Sequence, residues 1–325
     1  MASLVADRER PVTKSSPDTE RWKELDAASY DGVAEAFDRH SRRLSGRAAA
    51  RLAELVQVGR RDRVLDVGTG TGLLPFSLAR ATEPPASILG VDISAGMIET
   101  ARRRLHDELN DDPRVRFERM DAEQMPLPDA SFDVVLSGFA LTHVPRPELA
   151  MREIFRVLAP GGRLGIALGS RPPSGSGAQL RHAVAEIGRR IQVLRGRRLT
   201  ADLLDRIVDR RVGRSVEVPE GAPLATRLNR VPLLRDLVRG AGFTDLDVSW
   251  RNYQNEIESA EEFWDLHRTI RSDSRKRLLV APAGVENEVR REFMDECRRT
   301  LERGGVMTFP ISVVFMTARR PERAT

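Results

Sequence analysis

Residues 64–72 read Val-Leu-Asp-Val-Gly-Thr-Gly-Thr-Gly, and the next apolar run, Ile88-Leu89-Gly90-Val91-Asp92, ends in a second acid. An apolar strand ending at Asp66, a glycine turn (Gly68, Thr69, Gly70, Gly72) and a helical segment from Leu73 to Arg80 describe the first strand–turn–helix unit of a nucleotide-type pocket. Without Cβ the glycines reach positive φ and let the backbone approach a ligand. Asp92 stands about twenty residues on, where it can accept hydrogen bonds from two ribose hydroxyls. The turn is G-x-G-x-G, not the G-x-G-x-x-G of dinucleotide dehydrogenases. Asp66, two residues before the first glycine, would repel a pyrophosphate and welcome an ammonium.

Outward from this unit the pattern alternates. Strands are expected at 62–67, 87–92, 114–119, 132–137 and 162–168, with helices at 73–81, 95–109 and 147–158. That alternation predicts an α/β fold, a parallel sheet with helices on both faces. Asp66, Asp92, Asp121 and Ser137 all fall at the carboxyl ends of strands, where such sheets bind ligands. Upstream, residues 21–58 hold two helical candidates, Glu24 to Leu44 and Arg47 to Val56, and residues 1–20 read as a flexible tail. Downstream of the 59–170 core, the Pro/Gly/Ser run at 170–178 marks a break. Leu180, Val184, Ile187, Ile191 and Leu194 then form one stripe of an amphipathic helix, and Leu203, Leu204, Ile207 and Val208 suggest a second. Residues 171–230 therefore read as an inserted helical cap. The stripe suits either packing within the chain or the seam of a homodimer. Residues 231–318 complete the core with a helix at 231–240, a strand at 243–251, a helical insert at 258–303 and a strand at 306–317.

The chain has 325 residues, 40% of them hydrophobic, which suits one large α/β domain or a core with an added cap. No apolar run reaches the ~18–20 residues needed to span a bilayer, and the polar Met1–Glu20 lacks a signal core. The single cysteine, Cys297, forms no internal disulfide and fits a reducing cytoplasm. A net charge of +5 and a pI near 10.0 invite a nucleic-acid reading. However, 48 acidic residues are interspersed and no basic face stands out, so nucleic acid is not expected as a partner. The histidines at 40, 106, 143, 182 and 267 are scattered, with no pair at ligand spacing, so no metal site is expected.

Further motifs follow in order: Arg119-Met120-Asp121-Ala122-Glu123-Gln124-Met125-Pro126-Leu127-Pro128, Ser131 to Ser137, Ala140-Leu141-Thr142-His143-Val144-Pro145, and Arg156 to Leu164 with its Pro160-Gly161-Gly162. With these the chain resembles the class I S-adenosylmethionine-dependent methyltransferases. It is most similar to the group holding ubiquinone/menaquinone-type C-methyltransferases and many natural-product methyltransferases. The resemblance is close over 60–170 and loose outside. It implies a seven-stranded Rossmann-like sheet whose last strand runs antiparallel between the fifth and sixth, with N-terminal helices over the cofactor pocket. It implies S-adenosylmethionine as cofactor, with Asp66 near its ammonium, Gly68 near its methionine moiety and Asp92 on the ribose. Ile93 and Met97 would flank the adenine, Asp121 and Ala122 would meet its amino group and ring, and Ser137 would lie beside the cofactor.

Methyl transfer from a sulfonium is an in-line displacement, so the protein mainly positions the acceptor, and a base is needed only if the acceptor loses a proton. His143 is the candidate base, or a positioning residue; Tyr30 is a second candidate, with His40, Tyr253 and His267 as further ones. The stretch Ser137-Gly138-Phe139-Ala140 lacks the Pro-Pro clamp of nucleobase N-methyltransferases. The expectation is methylation of oxygen or carbon on a small molecule of secondary or quinone-like metabolism. Rival readings are a same-fold enzyme that performs cyclisation, a nicotinamide oxidoreductase, a non-enzymatic cofactor-binding partner protein and an RNA-modifying enzyme. Asp92→Ala removes two charge-assisted hydrogen bonds of roughly 1.5–3 kcal/mol each. Calorimetry should show S-adenosylmethionine affinity falling at least about tenfold, and Gly70→Val should abolish binding.

Overall fold

The computed structural model describes residues 17–170, 193, 195, 197–212 and 231–322. Most of the proposed tail, the 171–178 break and the Leu180–Leu194 stripe with its dimer seam lie outside the described residues. Two helices lead, α1 (Pro17–Asp31) and α2 (Ala34–Val56). The core follows as β1 (Arg63–Val67), α3 (Leu73–Ala79), β2 (Ser87–Asp92), α4 (Ala95–Leu109), β3 (Val115–Arg119), β4 (Phe132–Gly138), α5 (Pro147–Val157) and β5 (Leu158–Gly169). Then come β6 (Arg198–Leu199), α6 (Leu203–Arg211), α7 (Val231–Gly240), β7 (Thr244–Tyr253) and β8 (Glu256–Ile257). The chain ends with α8 (Ala260–Ile270), α9 (Ser272–Leu279), α10 (Val285–Glu302), β9 (Val306–Thr308) and β10 (Ile311–Arg319).

The main sheet has seven strands in the order β3-β2-β1-β4-β5-β10-β7. β3, β2, β1, β4 and β5 pair in parallel, and β10 runs antiparallel between β5 and β7, as the resemblance implies. β1 and β2 are buried along nearly their whole length because helices cover both faces, which is why they read as continuous apolar runs. Leu52 and Val56 of α2, Phe76 of α3 and Ile98 of α4 pack on one face. Met151 and Ile154 of α5 and Leu234 and Val238 of α7 pack on the other. α4 matches its expected span because both ends are signalled: Ser94 accepts from the Met97 N–H at 3.2 Å, and Asn110 closes the helix in the left-handed region.

Three expectations need correction. Residues 17–20 are not tail but the first turn of α1. The helix break falls at Gly32-Val33, not at Ser45-Gly46; α2 runs unbroken for 23 residues because Leu44, Ala48, Ala49 and Leu52 bury one continuous face. The expected strand 306–317 is two strands. β9 joins a small sheet, β6-β9-β8, and β10 begins after Phe309-Pro310 in the main sheet.

That small sheet belongs to a third apolar core. Leu203, Leu204, Ile207 and Val208 of α6 are buried there with Phe263 and Trp264 of α8, and Val289, Phe293 and Cys297 of α10. The described part of 171–230 is thus not a separate body, since α6 shares a core with the 258–303 insert. Deleting 171–230 would strip five buried side chains from it, Leu199 with the four of α6. Burial pushes the Cys297 thiol up to about 12, which makes it an inert core residue. Phe293 is fully buried at the centre of this core, so Phe293→Ala should cost about 3–5 kcal/mol, read as a lowered denaturation midpoint.

Candidate active site

A cleft of about 450 Å³ opens at the carboxyl ends of β1, β2, β4 and β5 and is closed over by α1, α2 and the C-terminal insert. Gly68, Thr69 and Gly70 of the glycine turn line it, as do Asp92, Ile93 and Met97. Asp121 and Ala122 complete that side. Gly68 has φ +72°, and a Cβ there would stand 2.0 Å from the Ala140 Cβ, so only glycine fits. The Gly70 N–H donates to Asp92 Oδ2 at 2.8 Å and the Ser94 N–H donates to Asp92 Oδ1 at 3.0 Å. Each oxygen keeps a lone pair for a further donor. Burial raises the Asp92 pKa, opposed by these two N–H groups.

Three expected residues stand off the cleft wall. Ser137 donates to the Val67 carbonyl at 2.9 Å and ties β4 to β1. Gly72 starts α3 against Phe76 and Phe117. Asp66 lies beneath the turn, 1% exposed, and its Oδ1 has no hydrogen-bond partner; the Oγ1 of Thr69, in the turn above, also has none. Burial, opposed by the nearby Thr69 hydroxyl and helped by the Asp92 charge, pushes Asp66 up to about 7. A buried carboxyl with an orphaned oxygen under a glycine turn suits an incoming ammonium.

Tyr30 and His143, far apart in sequence, meet in the cleft. Tyr30 Oη lies 3.4 Å from His143 Nε2, and the two rings pack edge to face. On the other side His143 Nδ1 is 3.3 Å from Asp26 Oδ2. Burial works against the Asp26 charge, but His143 and Lys276 outweigh it and hold Asp26 at about 2. Burial, with the Asp26 charge added, pushes the Tyr30 phenol up to about 12. His40, Tyr253 and His267 do not line the cleft. His40 bonds Asp265 at 2.8 Å, Tyr253 lies under Arg47, and His267 is a core residue 2.7 Å from the Phe263 carbonyl, held down at about 4 by burial.

Sequence reasoning missed Lys23, Asp26 and Arg271. Lys23 is buried, with Nζ 2.6 Å from both Asp121 Oδ2 and Glu123 Oε2, and so straps α1 to the loop after β3. The spacing of Lys23, Asp26, Ala27 and Tyr30 puts them on one face of α1, a signal that was open to reading.

Comparison with known proteins agrees with this geometry. Residues 65–166 match a family described as a methyltransferase domain. The chain is 37% identical over 163 residues to the ubiquinone/menaquinone biosynthesis C-methyltransferase UbiE of Azotobacter vinelandii, covering 49% of this chain and 64% of the relative. It is 38% identical over 153 residues to the demethylmenaquinone methyltransferase of Clavibacter sepedonicus, covering 45% and 59%. The chain thus spans less than two thirds of the length of these relatives. In structure it is similar to the YcgJ protein of Bacillus subtilis (TM-score 0.52, 18% identity, 85% of this chain and 99% of that one). It is also similar to phosphoethanolamine N-methyltransferase 2 of Haemonchus contortus in complex with S-adenosylmethionine (TM-score 0.52, 16% identity, 95% and 61%). At such identities the structural likeness shows the fold alone. Over residues 65–166 the motifs, the sheet order and the match to the methyltransferase-domain family agree, and the chain is similar there to the ubiquinone/menaquinone C-methyltransferases.

Proposed function

We propose that the protein transfers the methyl group of S-adenosylmethionine to a carbon or oxygen of a small, partly apolar molecule of secondary or quinone-like metabolism. The observation that carries this reading is the Asp26–His143–Tyr30 row facing the same cleft as the glycine turn and Asp92. The ubiquinone/menaquinone relatives favour carbon as the acceptor atom. The described residues contain no helix long and apolar enough to cross a membrane. We place the protein in the cytoplasm, with a small molecule rather than nucleic acid as its partner.

Asp92 would hold the ribose hydroxyls and Asp66 the ammonium, with Asp121 and Ala122 at the adenine. Ile93 and Met97 would pack its ring, while the Gly68–Gly70 backbone closes on the methionine moiety. Ser137 and Gly72 would act behind the wall, by holding β4 on β1 and starting α3. When bound, the cofactor supplies a methyl already activated on sulfonium sulfur. The work left to this chain is to orient the acceptor, exclude water and remove a proton where the acceptor has one to lose. Asp26, ionised across the working range, faces His143 Nδ1 at 3.3 Å and favours the tautomer whose Nε2 lone pair takes the Tyr30 hydroxyl until an acceptor displaces it. Nε2 is then the atom that takes the proton, and Tyr30, a phenol that keeps its own hydrogen, positions the acceptor oxygen beside it.

Two measurements test this reading. Asp66 must be ionised to meet an ammonium, and burial keeps it protonated below about pH 7. Affinity for S-adenosylhomocysteine should rise about tenfold per pH unit up to pH 7 and then level, until the amine of the ligand itself loses its proton. Asp66→Asn should abolish that slope in calorimetry; a wild-type affinity flat between about pH 5 and 7 would remove Asp66 from the site. For His143→Gln, turnover on an acidic acceptor at saturating cofactor should fall about 10²–10⁴-fold. Asp26→Asn should lower turnover less and keep cofactor affinity. Unchanged turnover in His143→Gln at saturating cofactor excludes His143 as base, and a product without an added methylene favours the cyclase reading.

A further inference from the structure

The cleft has two chemically different halves, and the strand order separates them. Asp92 at the end of β2 and Asp121 after β3 lie on one side of β1. On the other side β4, β5 and β10 contribute Phe139, Gly169, Ile311 and Ser312. Facing these come Leu44 from α2 and Ile270, Arg271, Phe309 and Pro310 from the C-terminal insert. This second half is mostly apolar and contains one full charge, Arg271. The other lining ammonium, Lys23, is 6% exposed and is already spent between Asp121 and Glu123.

Arg271 sits at the joint between α8 and α9, its backbone N–H on the His267 carbonyl at 2.9 Å. One nitrogen of its guanidinium is anchored on Asp205 Oδ2 of α6. Asp205 is itself held, because its Oδ1 accepts from Ser274 Oγ at 2.6 Å. Among the described residues no other side chain or carbonyl accepts from this guanidinium, whose side chain is 39% exposed. A guanidinium has five N–H donors in a rigid fork, and those not held by Asp205 are left to solvent or to a ligand in the cleft. Burial lowers the Arg271 pKa, opposed by the Asp202 and Asp273 carboxylates nearby. An arginine fixed on one side and open on the other is a receptor for an oxyanion.

We propose that Arg271 recognises an acidic oxygen substituent, a carboxylate or a phosphate monoester, on an otherwise apolar methyl acceptor. The proposal rests on the methyl-transfer reading above and narrows its substrate class. A neutral acceptor of the same shape would leave the open donors unmatched. The bland alternative is that Arg271 and Asp205 only pin α9 to α6. The two differ in what loss of Asp205 does: a recognition arginine freed of its partner keeps or gains preference for acids, whereas a purely structural pair fails alike from either side.

The test uses the full chain saturated with S-adenosylhomocysteine, titrated by calorimetry with matched probes. One arm compares benzoate, phenylacetate and cinnamate with their carboxamides; the other compares phenyl phosphate with phenol. At least one acid should bind about tenfold or more tighter than its neutral partner, as one or two charge-assisted hydrogen bonds require, and the responding arm identifies the oxyacid. Arg271→Gln should bring that ratio within about twofold while leaving S-adenosylhomocysteine affinity unchanged, Arg271→Lys should keep part of it, and Asp205→Asn should retain it. No acid preference in either arm by the wild type overturns the proposal whatever the variants do. So does a preference that survives Arg271→Gln or is lost equally in Asp205→Asn. A wild type that does not bind S-adenosylhomocysteine overturns the methyl-transfer reading itself, and the proposal with it.

Discussion

The Asp92 carboxylate is the tie on which the site depends. One oxygen holds the Gly70 N–H of the turn after β1, and the other holds the Ser94 N–H of the turn after β2. Two loops from neighbouring strands are thereby locked to one rigid group at the mouth of the sheet. From Ser94 the constraint spreads, since its hydroxyl caps α4 through the Met97 N–H and also donates to Asp31 Oδ1 at 2.6 Å. Asp31 closes α1 and accepts the Gly96 N–H as well. The far end of the α1 face is held by Lys23 on the loop after β3. One helix is thus tied at its C-terminal end and near its middle to the loops that form the floor of the cleft. Asp26 and Tyr30 inherit their positions from those ties.

A second constraint is the length of α2, about 34 Å at 1.5 Å per residue. Its C-terminal half packs Leu52 and Val56 on the sheet, and its N-terminal half sends Leu44 into the core of the helical insert. The helix joins the two apolar cores while Phe37, Ser41 and Leu44 line the cleft between them. Asp38 is buried on the same helix, taking Thr71 Oγ1 at 3.0 Å and Arg104 at 2.7 Å, so the glycine turn is gripped from this side too.

Much of the cofactor half was legible because its signals are local. Asp66 and Asp92 end apolar runs, the turn glycines are contiguous, and Ser94 and Asn110 bracket α4. Tyr30 and His143 could be nominated singly, but not as neighbours, since they lie 113 residues apart. Lys23 and Asp26 share a helix face with Tyr30, but their partners, Glu123 and His143, come from distant loops and give no local signal. Ser137 was read toward the ligand because it ends a strand; its hydroxyl instead satisfies the Val67 carbonyl, a pairing no local pattern reveals. The run 306–317 looked like one strand because Phe309 keeps it apolar, and only the tertiary fold shows the chain changing sheets at Pro310.

The sheet order also makes the cleft depend on a non-local strand pairing. β7 has one neighbour in the main sheet, β10, which follows it only after the whole α8–α10 insert. The insert can form its own helices from local contacts, while β7 must wait for a non-local partner, and closing such a loop is slow. Until β10 slots between β5 and β7, both present open hydrogen-bonding edges, and the edge of β5 adjoins an apolar core. The acceptor wall at Ile311 and Ser312 belongs to that same inserting strand. The strand that completes the sheet therefore also completes the cleft.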